Sequence, residues 1–213
     1  MSRLRITEIF LSLQGETKTV GLPTVFVRLT GCPLRCQYCD TAYAFQGGTW
    51  LDLEDILQQV AGYHIQYVTV TGGEPLAQKP CLELLHRLCD RGYIVSLETS
   101  GALDISQVDS RVSKIVDIKT PGSKEVSKNL FSNLDYLLPH DQVKFVICNR
   151  EDYDWSKQIL QQYQLAHKCH VLFSLSYQQQ SASELADWII QDRLEVRLQI
   201  QLHKYLWGDV PGR

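Results

Sequence analysis

Short runs rich in β-branched residues alternate along this chain with stretches whose apolar positions recur at helical spacing. The runs that predict strands are 24–30 (TVFVRLT), 66–71 (QYVTVT), 93–98 (YIVSLE), 114–118 (KIVDI), 142–148 (QVKFVIC), 170–175 (HVLFSL) and 196–201 (VRLQIQ). Helices are predicted between them at 52–62, 80–91, 151–165 and 181–192, while residues 122–137 leave the element type open. Alternation of this kind is the mark of α/β architecture with a parallel sheet. A full eight-stranded barrel usually takes about 250 residues, and this chain has 213. The expected fold is an incomplete, TIM-like βα barrel of about six parallel strands, forming a single domain over residues 1–213.

In the helix predicted at 80–91, Cys81, Leu84, Leu85, Leu88 and Cys89 fall on one stripe. Periodicity of that kind makes the two cysteines core residues. Cys148 ends a predicted strand and Cys169 precedes one, and neither has a partner at ligand spacing. The other three of the seven cysteines, Cys32, Cys36 and Cys39, crowd into GCPLRCQYCDT, residues 31–41. Their surroundings, Gly31, Pro33, Arg35 and Gln37, are not those of buried core.

Composition narrows the function. Hydrophobic residues at 44% and charged residues at 21% describe a globular domain without an apolar run long enough to span a bilayer. The start, MSRLRITEIF, lacks the apolar stretch of a signal peptide, so a cytoplasmic location is expected. The net charge of −3 offers no attraction to a phosphate backbone, which argues against nucleic acid as a direct partner. In such a compartment, clustered thiols in an odd total point to metal or redox chemistry rather than disulfides.

In βα folds, ligands sit at the carboxyl ends of the parallel strands. Four polar motifs fall there: TGC after 24–30, TGGEP at the end of 66–71, ETSG after 93–98 and DIKTPGS closing 114–118. Cys-x3-Cys-x2-Cys can gather three thiolates around one centre. A structural zinc needs a fourth Cys or His nearby, and the nearest later histidine, His64, is isolated beyond a predicted helix. A catalytic zinc with three protein ligands stays open, although sites built from three cysteines alone are uncommon. A four-iron cluster is normally held by four cysteines; with three, one iron keeps a position for a ligand that is not protein.

The trio Cys32, Cys36 and Cys39, with Tyr38 before the last of them, resembles the signature of the radical S-adenosylmethionine enzymes. The resemblance implies a [4Fe-4S] cluster whose open iron is chelated by S-adenosylmethionine. Reductive cleavage of that cofactor then gives a 5′-deoxyadenosyl radical that abstracts hydrogen from substrate. Gly73 and Glu74 in Thr71-Gly72-Gly73-Glu74-Pro75 resemble the family motif that meets the methionine amino group, and Glu98 opens a segment facing the cofactor ribose.

Further stretches resemble one subfamily, 7-carboxy-7-deazaguanine synthase. They are Ile9–Glu16 (IFLSLQGE), Arg28, Cys39-Asp40-Thr41, Asp117-Ile118-Lys119 and Leu202–Leu206 (LHKYL), so the likeness runs from near residue 6 to near residue 207. It implies conversion of 6-carboxy-5,6,7,8-tetrahydropterin to 7-carboxy-7-deazaguanine with release of ammonia, in queuosine or deazapurine biosynthesis. The pterin would be held by Leu13, Gln14, Gly15, Arg28, Thr71 and His203. The cofactor would meet Gly73, Glu74, Glu98, Asp117, Ile118 and Lys119, with Ser174 and Tyr177 from a late loop, and Thr41 would bind Mg2+. No catalytic side chain beyond cluster and cofactor is expected. A homodimer, and a flavodoxin or ferredoxin as electron donor, are further implications.

Two segments depart from the family pattern, which often reads Ser-Pro-Lys and Glu-Thr-Asn-Gly where this chain has Asp117-Ile118-Lys119 and Glu98-Thr99-Ser100-Gly101. The chain also runs past Leu206 to Arg213, so a terminal carboxylate on the substrate is not expected. Two alternatives stand beside this reading. A glycyl-radical activating enzyme shares the cysteine spacing and a Gly-Gly-Glu-Pro-type motif, and a non-catalytic zinc-binding module would need only the thiols.

Overall fold

Strand registers settle the architecture of the computed structural model, which describes residues 2–208, 210 and 212. Among these residues nine strands form one sheet: β1 (Arg3–Leu13), β2 (Pro23–Leu29), β3 (Thr49–Asp52), β4 (Tyr67–Gly72), β5 (Ile94–Thr99), β6 (Ser113–Ile118), β7 (Gln142–Ile147), β8 (His170–Leu175) and β9 (Arg197–Gln199). Their spatial order is β3-β1-β2-β4-β5-β6-β7-β8-β9. From β2 onward every pairing is parallel, whereas β1 runs antiparallel to both of its neighbours. Six helices connect or follow these strands: α1 (Leu53–Gly62), α2 (Cys81–Asp90), α3 (Arg150–Gln162), α4 (Leu165–Lys168), α5 (Ala182–Asp192) and α6 (Leu202–Trp207).

Each predicted strand and each predicted helix is present, with boundaries shifted by a residue or two and the helix at 151–165 divided into α3 and α4. The parallel run contains seven strands rather than about six, because β9 completes it. Residues 122–137 contain short 3-10 turns, at Pro121–Ser123, Val126–Lys128 and Phe131–Tyr136. β1, β3 and α6 were not expected as elements. β1 ends in the LSLQGE stretch and lies antiparallel between the edge strand β3 and β2, outside the βα repeat that the alternation revealed.

The strands alternate apolar and polar because the sheet has two different faces. Val68 and Val70 of β4, Val95 and Leu97 of β5, and Val143, Phe145 and Ile147 of β7 are buried in the core cluster with Leu57 of α1, Leu85 of α2 and Leu160 of α3. Burying each such side chain contributes roughly 1.5–3 kcal/mol. Cys81 is fully buried on the stripe of α2 that faces this core, as its spacing requires, and Cys89 packs at its margin. The intervening positions point the other way and bond to one another. Gln14 Nε2 donates to Thr69 Oγ1 (3.2 Å), Thr69 and Ser96 share a hydroxyl contact of 2.8 Å, and Thr71 donates to Glu98 at 2.8 Å. A parallel sheet whose inner face is this polar encloses a site rather than a packed core.

Two caps fix the polypeptide where it leaves that inner face. Asn149 accepts from the Asp152 amide at the start of α3, and the fully buried Asp152 accepts from the amides of Gly122 (2.7 Å) and Cys148 (3.0 Å). Ser181 caps α5 in the same manner. No helix among the described residues is long and apolar enough to cross a membrane.

Candidate active site

The carboxyl ends of β2, β4, β5, β6, β7 and β8, the 31–41 loop and α6 enclose a cavity of about 420 Å3. Its walls carry Cys32, Cys36, Cys39 and Thr41 from the loop, and Leu13, Gln14, Gly15, Arg28, Thr71 and His203, the residues singled out for substrate. Gly73, Glu98, Asp117, Lys119, Ser174 and Tyr177 also line it. Residues spread over 190 positions of sequence thus meet in one space, where parallel α/β folds place their ligands.

Glu74 and Ile118 do not line it. The Glu74 carboxylate is fully buried and accepts from the amides of Leu76 (3.0 Å) and Ser100 (2.7 Å) and from the hydroxyls of Thr99 (2.9 Å) and Ser100. With its lone pairs taken, the carboxylate braces the strand ends instead of waiting for an ammonium. Ile118 projects into the apolar face, as alternation along β6 dictates for the residue after Asp117. Arg213, at the end of the tail, lies outside the described residues.

Protein hydrogen bonds hold the cysteine loop in place. Gly31 donates to Ala44 O (2.8 Å) and accepts from the Glu74 amide (2.8 Å), and Gln37 N donates to Ser123 O (3.1 Å). Arg35 binds back to the carbonyls of Cys32 and Leu34 and stacks over Phe45, 4.3 Å from its ring centre. Gly73 must lack a side chain, because a Cβ there would overlap the Gly31 carbonyl and crowd Cys32. All three thiols are free and half-buried. Burial raises their pKa, that of Cys36 to about 11 with Lys119 opposing, so as bare thiols they are neutral at pH 7. A cationic centre supplies the missing drive for deprotonation. The three thiols of Cys32, Cys36 and Cys39 line one cavity, and thiolate sulfur is the donor that iron–sulfur clusters take, so the donor set fits such a centre.

Acid and base share the cavity with these thiols. Lys119 Nζ lies 3.0 Å from Asp117 Oδ2, and burial alone would lower its pKa, but Asp117 and then Cys36 hold it above the ordinary value. Asp117 Oδ1 is buried without a hydrogen-bond partner, an acceptor left for a ligand. Burial pushes the Glu98 carboxyl up, against Lys144 and the Thr71 hydroxyl. Arg28 gives its Nε to Glu8 at 2.6 Å and lies under the ring of Phe10. Glu8 also accepts from the Tyr43 hydroxyl, so the guanidinium is fixed before any carboxylate arrives.

Sequence reasoning assigned no site role to five residues that tie this site together: Glu16, Asp40, Lys144, Gln201 and Lys204. Lys144 Nζ binds Glu16 at 3.0 Å, Gln201 Nε2 donates to Glu16 (2.9 Å) and to Asp40 (3.0 Å), and Lys204 pairs with Asp40 at 3.2 Å. Burial would raise the Asp40 pKa, but Lys204, Gln201 and Thr41 hold it well below the carboxylate range. A polar residue inside the apolar run QVKFVI was the available signal for Lys144; Glu16, Asp40 and Lys204 lie inside the stretches IFLSLQGE, Cys39-Asp40-Thr41 and LHKYL, and Gln201 ends the strand predicted at 196–201.

The chain matches the Radical SAM superfamily over residues 26–166. It is 42% identical to a 7-carboxy-7-deazaguanine synthase of Chlorobaculum tepidum, covering 96% of this chain and 94% of that one. A 7-carboxy-7-deazaguanine synthase of Koribacter versatilis is 40% identical, over 96% of this chain and 97% of its own. Among solved structures, QueE from Escherichia coli superposes with a TM-score of 0.79 at 23% identity, covering 94% and 95% of the two chains. That likeness bears out the fold. Sequence and structure agree: the chain belongs to the 7-carboxy-7-deazaguanine synthase family of the radical SAM superfamily.

Proposed function

We infer that this chain, as one radical SAM domain, converts 6-carboxy-5,6,7,8-tetrahydropterin to 7-carboxy-7-deazaguanine with loss of ammonia. The observation that carries the reading is the meeting, in one cavity, of three free thiols with the Leu13-Gln14-Gly15 segment and His203. A glycyl-radical activating enzyme would need access for a protein partner, whereas here His203 and Lys204 of α6 form part of the cavity wall and α6 is tied to Gly15.

Cys32, Cys36 and Cys39 would hold a [4Fe-4S] cluster, which with S-adenosylmethionine supplies the radical chemistry of the superfamily. Gly73, Asp117, Lys119, Ser174 and Tyr177 would receive the cofactor: the bare Gly73 admits close approach, Asp117 Oδ1 offers an unused acceptor, and Lys119 a buried cation. Glu98 lines the same wall. On the other side, Gln14 and Thr71 offer polar groups to the pterin edge, and Arg28, clamped by Glu8, faces its carboxylate with directed donors. Gly15 and His203 exclude water from the far edge of the ring.

Thr41 would bind Mg2+. Its hydroxyl lines the cavity and donates to Asp40 at 2.9 Å, and magnesium tolerates few protein ligands when substrate oxygens complete its shell. The substrate is then a free small molecule, the product feeds queuosine or another deazapurine, and a cytoplasmic homodimer reduced by flavodoxin or ferredoxin is the working form. Anaerobic reconstitution with iron and sulfide, then incubation with carboxytetrahydropterin, reductant and S-adenosylmethionine, tests the reading. Mass analysis should find the carboxydeazaguanine and ammonia in equal amounts; a brown, four-iron protein that cleaves S-adenosylmethionine without making that product would sink it.

A further inference from the structure

Lys144 is the deep cation of the cavity that no motif announced. It sits on β7 opposite Asp117 in the β6–β7 register, between Val143 and Phe145, which face the core. Its ammonium is 3.0 Å from Glu16 and 3.7 Å from Asp117, with only 14% of the side chain exposed. Asp117 has a second cation, Lys119 at 3.0 Å. Glu16 does not: among the described residues Lys144 is its one ion-pair partner, and its other oxygen accepts from the neutral Gln201 amide.

Glu16 in turn ends the segment that carries the pterin contacts. Its amide donates to Gln14 Oε1 at 3.1 Å, and the adjacent Gly15 carbonyl accepts from Leu202 at the start of α6. We propose that Lys144 is a positioning residue for substrate: by holding Glu16 it sets the wall formed by Leu13–Gly15 and the α6 residues that close on it. This rests on the functional reading above, in which that wall receives the pterin.

The asymmetry of the ion pairs makes the proposal specific. Without Lys144, Glu16 loses its ion-pair partner while still feeling the Glu98 carboxylate, and swings away. Asp117 keeps Lys119, so the cofactor side stays in place. A lysine with a purely structural role would disturb both sides, or the fold, alike.

The test uses reconstituted holoenzyme carrying Lys144→Met, Lys144→Arg, Glu16→Gln and the Met/Gln double substitution. Readouts are KM and kcat for carboxytetrahydropterin, S-adenosylmethionine affinity, iron content, and fluorescence titration with the oxidised, unreactive 6-carboxypterin. Lys144→Met should weaken pterin binding and raise its KM about tenfold or more, the size of a lost charge-assisted hydrogen bond. Iron content and cofactor affinity should stay near wild type, Lys144→Arg should recover most of the loss, and the double variant should be no worse than the worse single.

A Lys144→Met enzyme with unchanged pterin KM overturns the proposal, as do multiplicative losses in the double variant or an equal loss of cofactor affinity. Should Lys144→Met fail to fold, Glu16→Gln decides alone, and an unchanged pterin KM there is equally fatal. Wild-type enzyme that neither binds the pterin nor makes product would instead overturn the functional reading itself.

Discussion

The imidazole of His203 occupies the space where a side chain on Gly15 would begin. The amide of Leu202 donates to the Gly15 carbonyl at 2.9 Å, so the end of the LSLQG stretch and the first turn of α6 close on each other with no room for a methyl group. Gly15→Ala must push the ring out of the cavity wall. We expect kcat/KM for the carboxypterin to fall about tenfold or more, and the same substitution to cost much less in a His203→Ala background. Steady-state kinetics of the two singles and the double check this; independent effects would refute the contact.

His203 also makes stability depend on pH. Burial lowers its pKa below 6.5, with Glu16 and Asp40 opposing. The unfolded chain, with an ordinary histidine near 6.5, therefore binds more protons than the fold below that pH. Stability from this group is fully present above about pH 6.5 and is lost as pH falls through the folded pKa. Urea unfolding from pH 7.5 down to pH 5 should show a shallower decline for His203→Gln than for wild type.

The two classes of cysteine should separate cleanly. Cys36→Ser removes one of the three thiols proposed to hold the cluster, and we expect iron content to drop and product formation to fall by about three orders of magnitude or more. Cys81→Ala empties a fully buried core position, costing about 1 kcal/mol of stability while leaving iron and cofactor cleavage intact. Iron analysis and anaerobic absorbance spectra of the two variants decide the matter.

A buried ion pair at the other end of the barrel carries stability rather than function. Lys114 Nζ and Asp141 Oδ2 are 2.8 Å apart with side chains 3% and 0% exposed, and Asp141 also accepts from the Lys114 and Leu138 amides. Asp141→Asn leaves the ammonium uncompensated and should destabilise the fold by about 3–5 kcal/mol. Equilibrium denaturation measures this, and the expectation fails if the loss is within experimental error.

Thr41 offers a test by metal removal. Treatment with a chelator followed by gel filtration should slow turnover, and added Mg2+ should restore it in wild type and in Thr41→Ser. Thr41→Val keeps the shape but removes the oxygen, so its activity should not respond to the ion.

How much of this was readable beforehand differs between elements. The βα repeat was legible because Val, Ile and Leu recur with period two in every parallel strand, and because α2 shows its stripe from Cys81 to Leu88. β1 was not, since an antiparallel strand lies outside the βα repeat, and α6 was not, because six residues give too little periodicity. Glu74 misled for a physical reason: a carboxylate beside two glycines resembles a ligand contact, and only the fold brings Thr99 and Ser100 within hydrogen-bond reach of it.

Local order along the chain determined the strands, the helices and the clustering of three thiols at Cys32, Cys36 and Cys39, since periodicity and spacing are properties of neighbouring residues. Tertiary structure alone decided that Lys144 meets Glu16 across 128 positions, that α6 folds back onto Gly15, and that Asp117 is shared between two lysines. Those contacts arise from strand order and from the curl of the sheet, which bring together residues that nothing in the local sequence pairs.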